Sequence, residues 1–135
     1  MDDMKIVPLR VIKSDKGDIY KGVSIHDDDF KSFGEAYFSS VNKNEIKGWK
    51  KHKKMTCNLI VISGEVKFVT FNSKTKIFNS VTCSKSNYSK IIIQPEIWFA
   101  FKGLKSKNIL LNIADIPHDP LESNTMQLSK IRYDW

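Results

Sequence analysis

Long apolar runs are missing from this chain, and so is any sustained helical period. No hydrophobic stretch in its 135 residues approaches the roughly 20 residues that cross a bilayer. The opening MDDMKIVPLR lacks the apolar segment of a secretory signal, so a cytoplasmic location and no membrane partner are expected. Helix is confined to short candidates, DDDFKSF and PLESNTMQLSK, where Asp or Pro opens a turn. Cysteine is scarce: Cys57 sits in an apolar run and Cys83 in a polar one, without CxxC spacing, which reads as packing and not as a bridge or a zinc site. The histidines, His26, His52 and His118, are too scattered for a zinc or iron ligand set, so no metal is expected. Internal repeats and low-complexity tracts are absent as well.

What remains is an ordinary globular balance with a basic surplus. Hydrophobic residues make up 41% and charged residues 27%, enough for one folded domain over 1–135 and too apolar for disorder. A net charge of +7 favours anionic partners: phosphates, nucleotides, nucleic acid or acidic surfaces.

Strand signals dominate. CNLIVIS is an apolar run closed by Gly64, and EVKFVTFN alternates well enough to pair with it as a hairpin across SGEV. YSKIIIQP, WFAFKG, NILLNIAD and GEAYFSSV read as further strands, and GDIYKGVSI as another. Many short strands punctuated by turns predict an all-β sandwich or barrel.

The stretch IKGWKKHKKM packs five lysines, a tryptophan and a histidine into ten positions just before the most apolar strand. On a strand, a period of two places Gly48, Lys50 and His52 on one face and Lys47, Trp49, Lys51 and Lys53 on the other. Lys51, Lys53 and Lys54 read as a solvated edge that blocks strand-to-strand association. Lys50 and His52 are different, because two cationic side chains on an inward face need a counter-anion or a neutral imidazole. A basic nucleic-acid patch is the competing reading, with Trp49 and Tyr37 as stacking rings, but no nucleic-acid module's signature accompanies it.

FGEAYFSSVNKNEIKGWKKHKKMTCNLIVISGEVKFV, IIIQPEIWFAFKG, NILLNIADIPHDP and the closing IRYDW together resemble the dTDP-4-dehydrorhamnose 3,5-epimerase family, metal-free cupins acting on nucleotide sugars. The resemblance covers the chain from about Gly17 onward and extends in part to the dTDP-sugar 3,4-ketoisomerases. It implies a cupin-type jelly roll, no cofactor, a homodimer and a nucleotide-linked sugar as ligand. The chain departs from the epimerase pattern in three places. Lys50 stands at the epimerases' base histidine, Phe99 at the histidine of their later segment, and Asn112 near their donor tyrosine. Against the ketoisomerases' Gly-X-His-X-His-Lys, Gly48, His52 and Lys53 match while Lys50 replaces the first histidine. The resemblance therefore implies His52 as base, Lys50 beside it and Tyr37 as acid. Lys47, at a family arginine, is implied to contact substrate together with Trp49, Trp98 and Asn112. Asp134 is the implied partner of the histidine. Core packing is the competing reading for His52, Tyr37 and Trp98.

Three functions follow, in this order. First is a 3,5-epimerase-type enzyme of surface-polysaccharide deoxysugar synthesis, with 3,4-ketoisomerase as its variant. Second is a cupin that binds sugar without catalysis, because function resides in the site and not in the fold. Third is a basic module for nucleic acid or another polyanion.

Overall fold

The computed structural model describes residues 3–135. Twelve strands form it: β1 (Met4–Pro8), β2 (Val11–Ile12), β3 (Ile19–Tyr20), β4 (Glu35–Ser40), β5 (Ile46–His52), β6 (Cys57–Ser63), β7 (Val66–Asn72), β8 (Ile77–Cys83), β9 (Ser89–Ile93), β10 (Trp98–Gly103), β11 (Ile109–Ala114) and β12 (Ser123–Thr125). Two five-stranded antiparallel sheets, β1-β9-β6-β11-β4 and β12-β5-β10-β7-β8, face one another as a cupin-type jelly-roll sandwich; β2 and β3 make a small ribbon. The all-β expectation holds. Among the described residues no helix is long and apolar enough to cross a membrane.

Three local expectations are corrected. The strands β6 and β7 are not a hairpin: they lie in different sheets, and SGEV carries the chain from one layer to the other. Gly64 makes that corner possible, at φ +77°, where a Cβ would collide with the Lys107 carbonyl oxygen. The hairpin partner of β7 is β8, with Asn72 Oδ1 accepting from the N–H groups of Lys74 and Thr75 in the turn. DDDFKSF is not helical either. Asp27 and Asp29 hold the buried Lys90 ammonium of β9 at 3.5 and 2.8 Å, fixing the loop across the outer face of the first sheet. PLESNTMQLSK splits into β12 and a 3-10 turn, Leu128–Lys130, because its first half completes the edge of β5.

Two apolar clusters set the layers. Leu59, Phe68, Ile91, Phe99 and Leu110 fill the space between the sheets. Trp49, Val69, Trp98, Ala100 and Ile131 form the second cluster on the outer face of the second sheet, where Tyr133 and Trp135 of the C-terminal segment cover it. Strand alternation assigns the clusters: Phe68 and Phe99 point inward, while their neighbours Val69 and Trp98 point outward.

Candidate active site

A cleft of about 250 Å³ opens between the sheets, lined on one wall by β5 and β10 and on the other by β4 and β11. Lys47, Gly48, Lys50, His52, Phe99 and Phe101 line the first wall, and Tyr37, Ser39, Leu110 and Asn112 the second. Among the described residues no carboxylate lines it.

A bulge builds the first wall. Lys47 pairs with Phe101 and Lys50 with Phe99, so Gly48 and Trp49 together stand opposite Ala100. Strict alternation puts Lys47 and Lys50 on opposite faces; the extra residue brings both to the cleft. This corrects the face expected for Lys47. Gly48 adopts φ +155° at the bulge, and a Cβ there would strike the Ala100 Cβ and lie 2.8 Å from its Cα. Along this wall exposure falls from Lys47, which is open to solvent, through the half-buried Lys50 to the buried His52.

Glu122 fixes His52 from behind. Its Oε1 lies 2.6 Å from His52 Nδ1, while Oε2 accepts the backbone N–H groups of Lys54 and Met55 at 2.9 Å each. Burial alone pushes the Glu122 carboxyl up, but the two N–H donors and the His52 ring outweigh it and bring it down to about 2. Glu122 is therefore a carboxylate at any physiological pH. The His52 ring also stacks on Phe99, with centroids 5.9 Å apart and planes inclined by 23°. With Nδ1 engaged and the ring plane set, Nε2 remains to address the cleft.

The far wall carries a hydrogen-bonded pair. Asn112 Nδ2 donates to the Tyr37 hydroxyl at 2.9 Å and lies 3.7 Å from Cys57 Sγ, while its Oδ1 is buried without a partner. Burial pushes the Tyr37 phenol above its usual 10.0, against the opposing effect of the Asn112 bond. Burial likewise pushes the Cys57 thiol up to about 12, against the opposing effect of the Asn112 contact.

The structure thus brings Tyr37, Lys47, Lys50, His52 and Asn112 to one cavity. It does not bring Trp49 and Trp98 there. Trp49 is buried in the outer cluster with Nε1 donating to the Ile131 carbonyl, and Trp98 lies in the same cluster under the Lys51 ammonium. Both rings project from the opposite face of their strands, so the expected substrate contact is corrected to core packing. Asp134 is not the partner of His52; it lies in the C-terminal segment beyond the outer face, near Ile46 and Arg132. Glu122 was hidden from the sequence because it sits in a candidate helix and meets His52 only when β12 pairs with β5. Among the described residues no three His, Cys, Asp or Glu side chains converge in metal-binding geometry.

Solved structures share this architecture. A dTDP sugar isomerase from Desulfovibrio desulfuricans superposes with a TM-score of 0.92 at 27% identity, over 98% of this chain and 90% of its own. The sugar 3,4-ketoisomerase QdtA from Thermoanaerobacterium thermosaccharolyticum, in complex with TDP, gives 0.81 at 18% identity over 96% and 92%. The epimerase RmlC from Legionella pneumophila, in complex with dTDP-4-keto-L-rhamnose, gives 0.84 at 16% identity over 100% and 79%. At those identities QdtA and RmlC attest the fold. No curated protein matches the sequence. Residues 2–127 match the model of the family described as FdtA: WxcM-like, C-terminal, and with nearly the whole chain inside that match, the protein belongs to this family.

Proposed function

We infer that the protein is an isomerase of a dTDP-linked keto sugar, of the 3,4-ketoisomerase type. The observation that carries this reading is His52: an imidazole on the cleft wall, pinned at Nδ1 by an ionised Glu122 and stacked on Phe99. Protons on a carbon beside a ketone are acidic, and their removal needs a positioned base with donors near the developing oxyanion. His52 Nε2 supplies the base; Lys50 and Tyr37 supply donors.

The gradient along β5 orients the ligand. The cavity volume falls below the roughly 300–1,000 Å³ of pockets that enclose a whole ligand, which suits a hexose inside and the nucleotide at the mouth. Lys47 at the exposed end is placed for the diphosphate, and Asn112 for a sugar hydroxyl. The 27% identity to a dTDP sugar isomerase supports action on a dTDP-linked sugar. A 3,5-epimerase remains the second reading, favoured by Tyr37 facing His52 from the opposite wall, as a donor on the other side of the sugar requires. We place either reaction in the cytoplasm, in deoxysugar synthesis for surface polysaccharide, with the protein acting as a homodimer.

Incubation with dTDP-4-keto-6-deoxyglucose in deuterated buffer, followed by NMR, tests this. The expected result is a 3-keto product that depends on His52 and disappears in His52→Asn. Deuterium at both C3 and C5 with the 4-ketone retained would establish the epimerase instead.

A further inference from the structure

We propose that Lys50 is a catalytic residue of this site, carrying protons between the two oxygens of the sugar while His52 carries the proton between the two carbons. This rests on the isomerase reading above. Moving a ketone from C4 to C3 requires two displacements: a hydrogen from C3 to C4, and a proton from O3 to O4. One imidazole performs the first. The second needs a group that can both give and take a proton within reach of adjacent oxygens.

Lys50 meets those conditions. It lies two residues before His52 on the same face of β5, roughly 6.6 Å along the strand. It is half-buried, lines the cleft and has no ion-pair partner among the described residues. Its side chain lines the cleft together with His52, Tyr37 and Asn112, so the ammonium faces the space a sugar would fill. An ammonium has protons to give and, once it has given one, a lone pair to take another. The alternative donor is less suited. Tyr37 sits on the far wall, and burial holds its phenol more firmly protonated, so it can give a proton but takes part less readily in both giving and taking one.

The steps balance. His52 Nε2 takes the C3 proton; the C–H electrons form C3=C4, and the C4=O electrons collect on O4, which takes a proton from Lys50. The neutral Lys50 amine then takes the proton of O3. The O3 electrons form C3=O, and the C3=C4 electrons take the proton held by His52 at C4. Both residues return to their starting states.

The test separates charge from proton transfer. Wild type, Lys50→Arg, Lys50→Met and Lys50→His are each given dTDP-4-keto-6-deoxyglucose in deuterated buffer, and C3 exchange in recovered substrate is read beside 3-keto product. Binding of dTDP to each variant checks that the site is intact. In Lys50→Arg the guanidinium still steadies the enolate but does not release a proton. C3 exchange is then retained while product falls by about 10²-fold or more, the scale of a lost acid–base group. Lys50→Met loses both, and Lys50→His, whose imidazole can give and take a proton, recovers product. Product formation in Lys50→Met near the wild-type rate, or a parallel fall of exchange and product in Lys50→Arg, overturns the proposal. A wild-type protein that neither exchanges nor isomerises removes the isomerase reading, and the shuttle with it.

Discussion

Glu122 Oε1 stands 2.6 Å from Nδ1 of His52 although the two are 70 residues apart in the chain. The same carboxylate closes off the N–H groups of Lys54 and Met55, so one side chain orients the base and completes the turn that follows it. These roles can be separated by substitution. Glu122→Ala leaves the buried Met55 N–H, the part-buried Lys54 N–H and the imidazole unpaired, and should lower unfolding free energy by about 3–5 kcal/mol in denaturant titration. Glu122→Gln keeps an acceptor for the turn and should fold with a smaller loss. Its kcat should still drop by at least about tenfold, because the imidazolium formed during proton transfer loses its counter-charge. Wild-type kcat in Glu122→Gln would dismiss the carboxylate as an orienting group.

Acid stability should carry the signature of the same residue. The Glu122 carboxyl is depressed from 4.5 to about 2 in the folded state. Between those values the unfolded chain binds the extra proton and the folded chain does not, so stability rises with pH. The contribution is complete above about pH 5 and is lost as pH falls through 2. It amounts to about 3 kcal/mol at 1.36 kcal/mol per pH unit. Thermal or urea unfolding of wild type and Glu122→Gln from pH 6 to pH 2 should give curves that converge on acidification. Parallel curves would count against the depressed carboxyl.

Strand positions were legible because apolar runs and turn residues mark them: CNLIVIS is β6 to the residue. Sheet membership was not. Whether SGEV closes a hairpin or crosses between layers depends on the Lys107 carbonyl meeting Gly64, a contact 43 residues away. The site was half legible. His52 and Lys50 followed from a period of two, whereas Lys47 reached the cleft only through a bulge that no alternation announces. Trp49 and Trp98 misled because a tryptophan near a basic run looks the same whether it faces a ligand or a second core. The segment IRYDW, which supplies that core's cover, has no apolar period to reveal it. Glu122 had no local signal, since its partners arrive through the pairing of β12 with β5.

Removing that outer core should affect folding more than chemistry. Trp49 is almost wholly buried, with its ring centroid 6.1 Å from that of Trp135 and its Nε1 donating to Ile131. Trp49→Ala should cost about 3–5 kcal/mol. Trp98→Leu, a milder change in the same cluster, should lower the unfolding midpoint while leaving dTDP affinity within about twofold. Calorimetric titration of dTDP checks this; a tenfold loss in Trp98→Leu would return that ring to the ligand.

The bulge makes Gly48 a sensitive position. An added methyl meets Ala100 and needs φ +155°, which L-residues rarely adopt. Gly48→Ala should therefore cost about 1–3 kcal/mol and shift Lys47 and Lys50 out of register with the far wall. Adding Ala100→Gly removes the closest clash but not the backbone requirement, so the double variant should recover stability only in part. Full recovery in a double-mutant cycle would locate the whole constraint in the side-chain contact.

Lys47 tests the direction in which the ligand lies. Its side chain is at the exposed end of the β5 wall, with Nζ 3.4 Å from Ser39 Oγ and, among the described residues, no carboxylate to hold it. If it meets the diphosphate, its contribution is equal in ground and transition states, and Lys47→Met should raise KM about tenfold with kcat nearly unchanged. The loss should shrink as salt is added, because the contact is solvent-exposed and screened. Lys47→Arg keeps the charge and adds a planar fork that suits paired phosphate oxygens, so its affinity for dTDP should equal or exceed that of wild type. A fall in kcat with KM unchanged in Lys47→Met would reverse the orientation, placing the reacting sugar at the mouth and the nucleotide toward His52.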